Sequence, residues 1–170
     1  MIPNVDSIQA SLQKLTGLHR QLMETVRMER EALISADIRR IEEATVAKHA
    51  LVDAIRQAES ERIGCVADLA VELRRPLREL TLPAIIILVQ GENPKRAEQL
   101  RTAFNALSLL IKRISEQNAD NQKLVEESLI HVQEMKGNVL GETTPKANTY
   151  TAKGQRSGVQ SGARLISKEA

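Results

Sequence analysis

The sequence predicts an all-α protein: a long antiparallel helical hairpin, a third long helix and a short fourth one, forming an elongated bundle or coiled coil that ends in a flexible C-terminal tail. Apolar residues recur every three or four positions along most of the 170 residues, the spacing that lines one face of a helix. Aromatic residues make up only 1% of a chain that is 42% apolar, so any core must be built from Leu, Ile, Val and Ala, the usual filling of seams between long helices. Up to residue 136 the pattern breaks only at short clusters of capping residues and prolines.

The first helix is expected over residues 5–34. Val5, Ile8, Leu12 and Leu15 continue past His19 to Leu22, Val26 and Leu33. Gly17 weakens its middle by roughly 0.5 to 1 kcal/mol relative to Ala, a cost that a packed seam absorbs. Ser35-Ala36-Asp37 then offers capping oxygens, and Ile38, Ile41, Leu51, Val52, Ile55, Val66, Leu69 and Leu73 carry a second helix over 37–75, up to Pro76. So short a connection folds the two helices back antiparallel.

Between Pro76 and Pro94 the run Ala84-Ile85-Ile86-Ile87-Leu88-Val89 has the composition of a strand, but a strand with no partner leaves its backbone groups unpaired. A short buried helix over 83–90, capped by Thr81, is the expectation. Asn93-Pro94 places a cap ahead of a first-turn proline and starts the third long helix, over 94–136. Its stripe comprises Ala97, Leu100, Phe104, Leu107, Ile111, Ile114, Asn118, Asn121, Val125, Ser128, Val132 and Met135. At ~1.5 Å per residue such a helix is ~65 Å long, too long for a compact globule of this mass to cover. Residues 1–137 therefore form a helical domain. Residues 138–170, glycine-containing and without a periodic stripe, form a tail expected to be disordered in isolation, with Lys146, Lys153, Arg156, Arg164 and Lys168 set against Glu142 and Glu169.

Composition excludes several functions. With 24 Lys+Arg against 22 Asp+Glu, and only Phe104 and Tyr150 as aromatics, there is neither the field nor the stacking platform that nucleic acids require. Cys65 has no internal disulfide partner, and His19, His49 and His131 are too dispersed for a metal site. The opening MIPNVDSIQ lacks a signal region, and the run Ala84 to Val89 falls far short of the ~20 residues of a membrane span, so a cytoplasmic chain without membrane insertion is expected. Arg39, Arg40, Lys48, Arg56 and Arg62 are the cations that a helical enzyme would have to converge, but in a chain that is 27% charged they are expected on solvated faces. No catalytic residue, cofactor or metal is assigned.

Two seam positions carry charge. Glu29 and Lys48 lie at compatible distances from the hairpin turn, and either pair across it or reach solvent at its rim. Asn118 and Asn121 likewise either align the seam or mark where intramolecular cover ends. In the second case Leu124, Val125, Leu129, Val132 and Met135 offer an apolar groove to another protein's helix, with Val139, Leu140 and Tyr150 closing over it.

Taken in order, these features resemble the FlgN-like flagellar export chaperones. The resemblance rests on Glu29-Arg30 with Ala32-Leu33 and Asp37, on Lys48 with Leu51 and Arg62, on Asn118-x-x-Asn121-x-x-Leu124-Val125, and on Tyr150 followed by Gly154. It spans nearly the whole chain. The resemblance implies a cytoplasmic chaperone of type III secretion that binds hook-filament junction proteins, masks their amphipathic terminal helices against premature assembly and delivers them to the export gate. Partner-binding candidates are Asn118, Asn121, Leu124, Val125, Leu129, Val132, Met135, Val139, Leu140, Tyr150 and Gly154. The alternative is a structural coiled-coil scaffold whose stripes are consumed by self-association, as in a homodimer.

Overall fold

The computed structural model describes residues 4–141. Four α-helices follow one another: α1 (Val5–Ile34), α2 (Ile38–Leu73), α3 (Leu82–Glu92) and α4 (Pro94–Val139), with a 3-10 turn at Leu77–Glu79. Among the described residues there is no strand, and the Ile85-Ile86-Ile87 run lies within α3. The chain divides into two compact units, Met1–Ser128 and Leu129–Ala170.

In the first unit the hairpin turn is built almost entirely from backbone hydrogen bonds. The Asp37 amide donates to Ala32 O (3.0 Å) and the Ala36 amide to Leu33 O (3.2 Å), the two bonds of a Schellman turn, with Ala36 in the left-handed region (φ 52°). Asp37 then caps the next helix, its Oδ1 accepting from the Arg40 amide at 3.1 Å. One residue thus closes α1 and opens α2. The caps read from sequence at Thr81 and Asn93 are also in place, accepting from the Ala84 and Arg96 amides.

Cross-helix contacts fix the antiparallel register of the hairpin. Near the turn Lys48 meets Glu29, farther along Lys14 meets Glu61 (2.6 Å) and Ser11 meets Cys65 (4.0 Å), and at the open end the Asn4 amide reaches Glu72 (3.4 Å). The Lys14 ammonium, hydrogen-bonded to the Glu61 carboxylate, holds that carboxyl below its ordinary range. α2 buries Ala44, Ala58 and Ala70 beside Val66 and Leu69, whereas Ile38, expected in the stripe, is exposed at its first turn. Small side chains let two helix axes approach closely, so the alanines belong to this seam along with the aliphatic stripe.

α4 runs parallel to α1. Asp6 near the start of α1 pairs with Arg96 in the first turn of α4, and Asn121 lies against Val26 and Glu29 near the other end. Between these points Val5, Ile8, Leu12 and Leu15 from α1, Val66 and Leu69 from α2, Ile85, Ile86 and Val89 from α3, and Ala97, Leu100 and Leu107 from α4 share one buried cluster. Past His19, which is buried with Nδ1 2.7 Å from Leu15 O, a smaller cluster of Leu22, Val26 and Ile114 continues the seam.

Gly137 does not end α4. Nothing stands where its Cβ would be, and the helix continues to Val139 before Gly141 turns left-handed (φ 69°) and the Leu140 amide donates to Lys136 O at 2.9 Å. A glycine weakens a helix without removing its hydrogen bonds, so termination waits for the residue that takes up positive φ.

Candidate functional site

The seam of the first unit closes on a polar layer. Lys48 Nζ donates to Glu29 Oε1 and Oε2 (2.9 and 2.8 Å) and to Asn118 Oδ1 (3.1 Å). Asn121 Nδ2 donates to Val26 O and to Glu29 Oε2, each at 2.9 Å, while Gln117 Nε2 donates to Asn121 Oδ1 at 3.4 Å. Of the two outcomes open to Glu29 and Lys48, the structure shows the paired one. The amides of Asn118 and Asn121 are engaged inside the chain, and Asn121 is 3% exposed. No buried side-chain nitrogen or oxygen among the described residues lacks a partner, so the layer is fully satisfied.

Such a layer sets alignment more than stability, because a shift of α4 by one turn would take the Asn118 and Asn121 amides off their partners on the hairpin. In a double-mutant cycle of Glu29→Ala and Lys48→Ala, a coupling energy of about 1 kcal/mol or more is expected in urea unfolding, since both groups are largely shielded from solvent. Strict additivity would mean that the two charges act independently.

Beyond Asn121 the character of α4 changes. Leu124 is half-buried and Val125 about half-exposed. In the second unit Leu129, Ile130, Val132, Met135, Val139 and Leu140 are each more than half exposed. Leu129, Val132 and Met135, three apart, form a stripe that Val139 extends by one further turn. Ile130, which the sequence reading passed over because it lies off that stripe, widens the apolar surface. Tyr150 and Gly154, and the expected flexible tail that holds them, lie outside the described residues.

An apolar helix face of this kind binds without directionality, and it fits the apolar face of another helix better than any small polar ligand. The five cations weighed as enzymatic candidates are distributed along α2, each beside its own carboxylate: Arg39 with Glu43, Arg40 with Glu31, Lys48 with Glu29, Arg56 with Asp53 and Arg62 with Glu59. The hydrogen-bonded Glu59 carboxylate holds the Arg62 guanidinium above its ordinary range. Cys65 is half-buried against the main core. Among the described residues no group of His, Cys, Asp and Glu is placed to hold a metal, and no helix is long and apolar enough to cross a membrane.

Comparison with known protein families gives one match. The model of the FlgN protein family matches residues 1–158, which includes every described residue and the candidate positions Tyr150 and Gly154. No curated protein and no solved structure matches the chain. A match over so much of the chain shows that it belongs to the FlgN family, the chaperones of flagellum biogenesis.

Proposed function

We propose that this chain is a cytoplasmic flagellar export chaperone that binds hook-filament junction proteins, covers their amphipathic terminal helices and hands them to the export apparatus. The observation that carries the reading is the apolar surface of the last α4 turns, where five large aliphatic or thioether side chains of the second unit stand exposed and Leu140 follows just past the helix end. An exposed stripe of this kind on a helix needs an apolar partner. A client helix that would otherwise polymerise supplies one. In this reading Leu129, Val132, Met135, Val139 and Leu140 make the primary contact, Leu124 and Val125 add to it, and Asn118 and Asn121 fix the register of α4 on the hairpin. Tyr150 and Gly154 add tail contacts. Reversibility, which export demands, follows where an interface of modest size has to order part of its components on binding.

The test uses purified components. Mixed with a hook-filament junction protein, the chain is expected to form a complex in size-exclusion chromatography that is lost when the client's terminal helices are deleted. Unchanged binding to the deleted client would remove the helix-masking mechanism. Concentration-dependent self-association with no client binding would instead support the scaffold, in which the same stripe packs against a second copy.

A further inference from the structure

A second surface, in the first unit, has the chemistry of a recognition site. α2 ends in another Schellman turn: the Arg75 amide donates to Ala70 O at 3.0 Å and the Arg74 amide to Val71 O at 3.2 Å, with Arg74 in the left-handed region (φ 51°). Pro76 follows, so the helix cannot continue, and Leu77–Glu79 forms the 3-10 turn. This geometry sets Arg74, Arg75 and Arg78 around Leu77, all four exposed.

None of the three guanidiniums has a hydrogen bond or ion pair among the described residues. The neighbouring carboxylates are not used: Glu72 receives the Asn4 amide, and neither Glu72 nor Glu79 lies within salt-bridge distance of them. The four arginines of α2 named above each pair with a carboxylate, whereas the three guanidiniums at and just beyond its end do not. One cation is enough to complement the carbonyl end of a helix.

The second observation is independent of charge. Beside this corner lies a mainly apolar recess of about 360 Å³, whose wall includes Ile63, Val66, Leu77, Pro83 and Phe104 together with the paired Arg62. Leu77 belongs to both features: it lines the recess, and in the chain Arg78 follows it and Arg75 precedes it across Pro76. Phe104, the one aromatic among the described residues, forms part of the lining without being buried in the core.

We propose that this corner is a docking site for an acidic segment of another protein, one that places an apolar side chain in the recess while its carboxylates pair with Arg74, Arg75 and Arg78. Charge complementarity selects this occupant: a second copy of the corner would bring arginines against arginines, whereas flanking carboxylates satisfy all three. The site goes beyond the client stripe of α4 and uses none of its residues.

The test is fluorescence anisotropy on the full chain with a labelled peptide carrying glutamates on both sides of a leucine pair. Its glutamine counterpart and phosphatidylglycerol vesicles serve as comparators. The acidic peptide is expected to bind at low salt and to weaken as salt rises. A variant with Arg74→Gln, Arg75→Gln and Arg78→Gln is expected to bind it about tenfold more weakly, as three exposed charge pairs together are worth about one decade. Leu77→Ser, at an exposed position that leaves the core intact, is expected to weaken it several-fold. Circular dichroism verifies that each variant is folded. Equal binding of the acidic and glutamine peptides, unchanged binding by the triple variant, or capture by the vesicles without peptide binding would each overturn the proposal, the last in favour of an anionic membrane surface.

Discussion

Leu100→Ala is expected to lower the free energy of unfolding by about 3 kcal/mol, the middle of the range for truncating a buried leucine. Leu100 is 0% exposed and sits on α4 within the cluster that also holds Ile8 and Leu12 of α1, Leu69 of α2 and Ile85 of α3. Truncation there opens a void in the cluster to which every helix of the first unit contributes. The void is bounded by regular helices, which have little freedom to collapse into it. Leu129→Ala makes the same chemical change on the same helix at a position more than half exposed, and is expected to stay within about 0.5 kcal/mol of the parent. Urea unfolding followed by circular dichroism measures both. A loss below about 1 kcal/mol for Leu100→Ala would mean that α4 is not packed on the hairpin as described.

Helix identity was legible because the starts of α2, α3 and α4 each had their own local chemistry. Asp37, Thr81 and Asn93 each place an acceptor where the first turn needs one, and a cap operates whatever the rest of the chain does. Where the boundary depended on backbone conformation, legibility failed. Gly137 and Gly141 look alike in sequence, but only the second takes positive φ, and α4 ends there.

The polar layer was half legible. Glu29 and Lys48 are joined by a short turn, so counting residues from Asp37 brings them together. Asn121 reaches Val26 O and Glu29 only because α4 lies parallel to α1, a register set by the packing of Ala97, Leu100 and Leu107 far along the chain. No local pattern carries that information. The corner at Arg74, Arg75 and Arg78 was not legible for a related reason: only the fold sets these arginines beside a recess that Leu82, Pro83 and Phe104 help to line.

Val132→Asp is expected to weaken client binding by about 30-fold, the loss of roughly 2 kcal/mol that follows when a central apolar anchor is replaced by a charge that must be desolvated. The position is chosen for its surroundings. Leu129 and Met135 flank Val132 one turn away on either side, so a helix docked on this face would cover it, and its exposure in the free chain means that aspartate has no native packing to disturb. The melting temperature should accordingly move little, and helical content should be unchanged. Truncation after Gly141 is the companion variant, because it keeps α4 whole through Val139 and removes only the segment containing Tyr150 and Gly154. If the tail adds to the same contact, truncation weakens the client several-fold, and combining it with Val132→Asp gives less than the sum of the two losses, since groups acting on one partner surface couple. Self-association predicts another pattern: Val132→Asp would dissociate an oligomer of the chain alone, measured by sedimentation, while isothermal titration showed the client bound as tightly as before. That result would assign the stripe to a homodimer and leave the client's site elsewhere on the helices.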